Sequence, residues 1–175
     1  MHVVFELNNT VQFIRDYDVR WTETFEKLRQ QILTTLGGLI QGVEHVGSTS
    51  VPGLPAKPII DLDVIIENKG KLDSVISGLA TLGYRHEGDL GIPGREAFAT
   101  PAGAPVHHLY VCVQDNAELL RHIAFRDYLR ANPEMALEYG ELKRVLAAKH
   151  GTNWGAYAED KSKFILGVLE LAAKE

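Results

Sequence analysis

Two aspartates, Asp61 and Asp63, interrupt an otherwise apolar run from Pro58 to Ile66. Two residues apart on an extended strand, they point to the same face. Paired carboxylates on a mostly buried strand are costly unless something positive lies between them. A divalent cation is the usual answer, and carboxylate oxygens suit Mg²⁺ or Mn²⁺. Upstream, Gly47-Ser48-Thr49-Ser50 offers backbone N–H groups and three hydroxyls in a tight turn. Such a turn can hold phosphate, most readily where a helix begins. A phosphate cradle beside metal-binding carboxylates is the equipment of phosphoryl transfer. Each half alone has a plainer reading: Gly-Ser-Thr-Ser occurs in ordinary turns, and Asp-x-Asp in solvated strand edges or helix caps.

The residues around this block add further candidates. Glu44 and His45 bracket the entrance to the turn. His45 either reaches a substrate or metal, or hydrogen-bonds a neighbouring backbone group. The linker Val51-Pro52-Gly53-Leu54-Pro55-Ala56 cannot form a long helix. Lys57 ends it, just before the carboxylates. Its ammonium either binds phosphate and neutralises Asp61 and Asp63, or is simply solvated.

Val46-Gly47-Ser48, a spacer to Ile60, then Asp61-Leu62-Asp63 resembles the signature of the nucleotidyltransferase superfamily. There the Gly-Ser holds the phosphates of the incoming nucleotide and the two carboxylates hold metal. The longer run from Glu44 to Val64 resembles the GrpB family, a bacterial group placed in that superfamily. The likeness extends to Tyr17, Trp21 and Phe25, and to Gly91-Ile92-Pro93-Gly94-Arg95. It resumes at Phe125-Arg126-Asp127-Tyr128-Leu129-Arg130, Tyr139, Lys143, Tyr157 and Lys161, and so covers the chain from about Tyr17 to Ile165.

The resemblance implies Mg²⁺ or Mn²⁺ as cofactor and a nucleoside triphosphate or phosphorylated small molecule as ligand. It implies catalytic roles for Asp61, Asp63 and Lys57. The phosphates fall to Gly47, Ser48, Thr49, Ser50, Arg95, Arg126, Lys143 and Lys161, with Tyr139 or Tyr157 beside a base or ribose. Arg126, Lys143 and Lys161 have an alternative as helix-surface charges paired within a turn of helix. The segment His107-His108-Leu109-Tyr110-Val111 stands where the superfamily often has a third carboxylate, yet no Asp or Glu follows until Asp115. Either two carboxylates hold the metal, or an imidazole takes the third position, or metal catalysis is lost. The family pattern keeps His108, which makes it the candidate third ligand; His107 lies on the other face. Relatives fused to dephospho-coenzyme A kinase suggest the alternative of a non-catalytic nucleotide or phosphometabolite-binding module near coenzyme A metabolism.

These residues need a frame. Trp21, Phe25, Leu28, Ile32 and Leu36 make one apolar helix face, which Gly37-Gly38 ends. Leu39 to Val46 reads as a strand, and Lys71 to Leu82 as a helix with Leu72, Val75, Ile76 and Leu79 inward. Tyr84 to Gly94 is a loop over the site or a wide hairpin. Arg95 to Thr100 then pairs with His107 to Val113. From Asn116 the chain is helical, with Leu119, Leu120, Ile123, Phe125 and Leu129 on one side. A helix opened by Pro133 continues the pattern with Leu137, Leu142, Val145 and Leu146; the last, Tyr157 to Ala173, turns Phe164, Ile165, Val168 and Leu169 inward. His2 to Leu7 and Thr10 to Arg15 are short β-rich runs.

The expected fold is α+β, a nucleotidyltransferase-like mixed sheet flanked by helices with a helical C-terminal half. It is one domain over residues 1–175, divided at about residues 115–116. A length of 175 residues suits one domain with a real core. The net charge of −5 argues against a protein that coats nucleic acid. The single cysteine, Cys112, excludes an internal disulfide and fits a reducing cytoplasm. No run of about 18 apolar residues exists, so no membrane span is expected. Met1 to Asn9 lacks the pattern of a secretory leader.

Overall fold

The computed structural model describes residues 14–174, and the β-rich run at His2 to Leu7, with Thr10 to residue 13, lies outside them. Ile14 is buried, and Arg15 makes an isolated antiparallel bridge to Ala56. The first helix, α1, is Arg20–Leu36; it buries Trp21, Phe25, Leu28, Ile32 and Leu36, the stripe expected from their spacing. Gly37–Leu39 is a tight helical turn, so strand β1 is shorter than expected, at Gly42–Val46. Strand β2 is Ile60–Ile66, helix α2 Leu72–Thr81, and strand β3 Arg85–Gly88. Strands β4, Arg95–Ala99, and β5, His107–Val113, follow. Residues 84–94 thus form a wide hairpin, with β3 and β4 antiparallel.

The five-stranded sheet has the order β1-β2-β5-β4-β3. Only β2 and β5 pair in parallel; the other pairs are antiparallel. One face, carrying Val43, Ile60, Leu62, Val64, Leu109, Val111 and Phe98, packs on α1 and α2 as the main apolar core. The other face holds Glu44, Asp61, Asp63, His108, Tyr110 and Arg95, by the alternation of each strand and its register. Polar side chains on that face need a covering layer that is itself polar.

Helices α3, Ala117–Ala131, α4, Pro133–His150, and α5, Trp154–Ala172, provide that layer. α5 turns Phe164, Ile165 and Val168 inward as expected, and the stripes of α3 and α4 keep Leu119, Leu129 and Leu146 but depart from the expected apolar pattern elsewhere. Leu120, Leu137 and Val145 are 51%, 67% and 60% exposed. The buried positions are instead Leu119, Arg126 and Leu129 on α3, and Ala136, Tyr139, Gly140, Lys143, Leu146 and Ala147 on α4. Two of these are cations, so apolar periodicity alone selects the wrong face. A second core of Val51, Leu54, Leu129, Ala136, Tyr139 and Val168 ties these helices to the linker after the Gly-Ser turn. Gly140 allows the close approach: a Cβ there would lie 2.9 Å from Pro55 Cδ. No helix among the described residues is long and apolar enough to cross a membrane.

Candidate functional site

The register places the bend beside the carboxylates. Val46, the last residue of β1, pairs with Asp61, so Gly47 leaves the strand at that level. Gly47 has φ 71° and ψ −175°, a conformation open essentially to glycine alone. It also sits against Asp61: a Cβ on Gly47 would stand 2.2 Å from Asp61 Oδ2. The chain then makes a single tight helical turn, Ser48–Ser50. The Thr49 hydroxyl donates to the Ile59 carbonyl at 3.1 Å, and that of Ser50 to the Gly47 carbonyl at 2.6 Å. Both therefore brace the bend. The Ser48 side chain meets the hydroxyl of the buried Tyr139.

Each carboxylate is gripped on one oxygen by an imidazole. His108 Nδ1 lies 2.8 Å from Asp61 Oδ1, and His122 Nδ1 lies 2.7 Å from Asp63 Oδ2. The bond to Asp61 raises the His108 pKa. For His122, burial opposes the charge, but the bond to Asp63 and the charges of Asp63 and Glu118 outweigh it. Burial pushes Asp63 upward, its side chain being fully enclosed. Both shifts favour retention of the proton shared by the Asp63–His122 pair. Asp63 Oδ1 is buried with no partner.

Local sequence pattern does not single out His122. Its signal is positional: three residues after Leu119 and four before Arg126, it falls on the buried stripe of α3. His122→Ala leaves both Asp63 oxygens unpaired and is expected to cost about 2 kcal/mol. His122→Asn, which keeps an N–H near the Nδ1 position, recovers most of that. Urea denaturation of the two variants measures the difference.

His45 belongs to the opposite face. It stacks on Phe25 with ring centroids 4.5 Å apart and meets Thr49 Oγ1 at 3.0 Å. Burial takes its pKa down to about 4. His45 therefore has a structural place on the apolar face, but its partner is the Thr49 side chain and not a backbone group as the sequence alternative has it. His107 also turns away, to the Tyr84 hydroxyl at 2.7 Å. Glu44 is on the cleft face but engaged by Arg126, whose Nη1 reaches Glu44 Oε2 at 2.5 Å and the His45 carbonyl at 3.0 Å. Arg126 Nε also meets Asp127 at 2.7 Å. Arg126 thus straps α3 to β1 instead of joining the other cations.

Three lysines do converge at the Asp61 end. Lys57 and Lys161 lie 5.2 and 5.5 Å from the centre of the Tyr157 ring. Lys143 lies 4.6 Å from the Tyr139 ring centre and donates to the Pro55 carbonyl. Burial lowers the pKa of all three; the charge of Lys161 adds to the effect on Lys57 and Lys143, while Asp61 supports the charge on Lys161. Neither Lys143 nor Lys161 pairs with a carboxylate among the described residues. Arg95 is not in this group: its guanidinium lies 4.1 Å from the Tyr110 ring centre, two strands away from β2.

Lys143 yields a pH prediction. Its pKa is held at about 7, against an ordinary lysine value of 10.5. Between those values the unfolded chain keeps the proton that the folded protein has lost, so stability rises with pH across that window. Below it, the cost of burying the ammonium is fully present. Denaturation midpoints at about pH 7 and about pH 9 are expected to rise in the wild type and to rise less in Lys143→Met.

The sequence matches the family described as GrpB protein over residues 12–171. It is 35% identical over 158 residues to the UPF0157 protein YqkA of Bacillus subtilis, covering 90% of this chain and 46% of that one. The chain therefore spans about half the length of that relative. Over 185 residues it is 25% identical to a dephospho-CoA kinase of Mycobacterium leprae, covering 89% of this chain and 45% of the kinase. The crystal structure of GrpB from Enterococcus faecalis superposes with a TM-score of 0.82 at 40% identity, over 92% of this chain and 97% of that chain. The Cid1 poly(U) polymerase bound to MgATP superposes with a TM-score of 0.54 at 12% identity, over 86% of this chain and 48% of that chain. The fold is nucleotidyltransferase-like.

Proposed function

The chain belongs to the GrpB family, and from that premise we propose that it binds a nucleoside triphosphate in this cleft and transfers its nucleotidyl group to an acceptor. The observation that carries the reading is the contact of the Gly47 bend with the Asp61 carboxylate, beside three clustered lysines. The amides of Ser48 and Thr49 open a helical turn and have no acceptor within it, which suits phosphate oxygens. Lys57, Lys143 and Lys161 offset phosphate charge, and Tyr157 and Tyr139 present ring faces to base or ribose. The acceptor oxygen bonds to the α-phosphorus and gives up its proton to solvent, the bond from the α-phosphorus to the α–β bridging oxygen breaks, and pyrophosphate departs toward the lysines.

Mg²⁺ or Mn²⁺ fits the donor set. Asp63 Oδ1 is buried without a partner, and Asp61 Oδ2 is the oxygen that His108 leaves unengaged. Among the described residues no cluster of three or more His, Cys, Asp or Glu forms a ready cage. Two carboxylates completed by phosphate oxygens and water is the ordinary mode for Mg²⁺. When bound, the cation would polarise the phosphoryl oxygens. His108 supports the Asp61 carboxylate through Nδ1 in this reading, and its Nε2 is left as the candidate for a third ligand position. MgATP bound to the Cid1 polymerase, which shares the fold, lends the proposal support.

A second reading is a nucleotide or phosphometabolite-binding module without turnover. The grip of one imidazole on each carboxylate favours it, because imidazolium supplies positive charge where a metal would. The similarity to a dephospho-CoA kinase would set such a module near coenzyme A metabolism. On either reading we propose a cytoplasmic protein. A thermal-shift screen with ATP, GTP, CTP and UTP, with and without Mg²⁺ or Mn²⁺, separates them. Metal-dependent stabilisation with pyrophosphate release supports transfer. Metal-independent stabilisation without release supports the binding module, and no stabilisation by any nucleotide rejects both.

A further inference from the structure

The cleft is polarised along the strand axis. At one end are the Gly47 bend, level with Asp61, and the lysine cluster around the linker that precedes β2. At the other end is Arg95. It pairs with Cys112 of β5, which pairs with Ile65 of β2. Four residues separate the levels of Asp61 and Ile65, roughly 13 Å along the strand. The carboxylates stand between the two groups of cations.

Arg95 is half-buried, and among the described residues its guanidinium shows no acceptor. Its Nε is buried and makes no hydrogen bond, and the side chain forms no ion pair among the described residues. Its guanidinium carbon lies over the Tyr110 ring, 4.1 Å from the ring centre. Stacking on an aromatic face fixes the plane of the guanidinium and leaves its edge donors unused. Its charge is felt by Asp63 and His108, so it faces the cleft. A partly desolvated guanidinium without a partner is costly, whereas a bidentate oxyanion satisfies it.

In-line displacement places the attacking and leaving groups on opposite sides of the phosphorus. With pyrophosphate leaving toward the lysines, the acceptor enters from the Asp63 and Arg95 end. We propose that Arg95, held over the Tyr110 ring, is an oxyanion receptor for the acceptor, which therefore carries a carboxylate or phosphate group of its own. This inference rests on the transfer reading above, and it removes Arg95 from the set that holds the donor nucleotide.

The side-chain Nε–H resonance of Arg95 tests it, assigned by its disappearance in Arg95→Lys. MgATP is expected to move the Ser48 and Thr49 amide resonances and to leave the Arg95 signal in place. Adding inorganic phosphate or acetate to the MgATP-saturated protein is then expected to shift the Arg95 signal to saturation. The stronger of the two anions tells a phosphorylated from a carboxylated acceptor. A shift of Arg95 by MgATP itself would assign it to the donor and overturn the proposal. Silence of the signal toward both small anions would make the Tyr110 stack purely structural and would equally overturn it. If MgATP moves neither Ser48 nor Thr49, the donor reading fails by itself, while the anion titration still decides whether Arg95 is a receptor.

Discussion

Asp61→Asn and Asp63→Asn are each expected to abolish metal-dependent stabilisation by nucleoside triphosphates and to lower pyrophosphate release about 10²–10³-fold. Both side chains project from the same face of β2, and each has one oxygen free of its imidazole partner. An amide keeps the size of the carboxylate and removes the charge a cation needs. The fold is expected to survive. Asp63 is fully enclosed and pushed toward protonation by burial, so a neutral Asn is tolerated there. Asp61 is partly exposed, and Asn in its place can still hydrogen-bond His108. Thermal-shift measurements with Mn²⁺ and each nucleotide, alongside circular dichroism, separate loss of site from loss of fold. Full metal-dependent binding retained in both variants would show that these carboxylates are not the site.

Gly47→Ala is expected to cost about 2–3 kcal/mol, from a backbone conformation essentially closed to other residues. It is expected to remove nucleotide binding as well. The new Cβ would stand 2.2 Å from Asp61 Oδ2 and 2.9 Å from Asp61 Cγ, so the carboxylate must move. Moving it breaks the bond to His108 and displaces Asp61 Oδ2, the oxygen proposed to hold metal, from the Gly47 bend proposed to hold phosphate. The steric and conformational parts can be told apart. Asp61→Ala deletes the clashing atoms, so Gly47→Ala should cost less in that background, with a coupling of about 1 kcal/mol. Urea denaturation of the two single variants and the double variant closes the cycle. Strict additivity would mean that the close approach of Gly47 to Asp61 has no energetic consequence.

The parts of the site carried by local pattern were readable from residues alone. Asp61 and Asp63 stood out as charges in an apolar strand, and the Trp21 to Leu36 spacing fixed the helix that covers the far face. Periodicity alone does not choose between His107 and His108; the family resemblance points to His108, and the register sets it level with Asp61 with His107 on the other face. The C-terminal helices were harder, because their buried stripes carry Arg126, Lys143 and Tyr139 where an apolar rule expects leucine. Leu137 and Val145 then mark the solvent side. The partner of a buried charge is set by tertiary packing, which no spacing rule encodes. That is why Arg126 was grouped with the phosphate-binding cations, although Glu44 and Asp127 hold it. His122 escaped for the same reason, as its meaning depends on Asp63, 59 positions earlier in the chain.

Electron paramagnetic resonance of free Mn²⁺ tests the central claim most directly, because it reads the cation without requiring turnover or a known acceptor. Wild-type protein titrated with Mn²⁺ in the presence of a nucleoside triphosphate is expected to take up the ion stoichiometrically, beyond what the nucleotide binds alone. A free-Mn²⁺ signal that protein leaves unchanged, with every nucleotide tried, would contradict a metal–nucleotide site at Asp61 and Asp63.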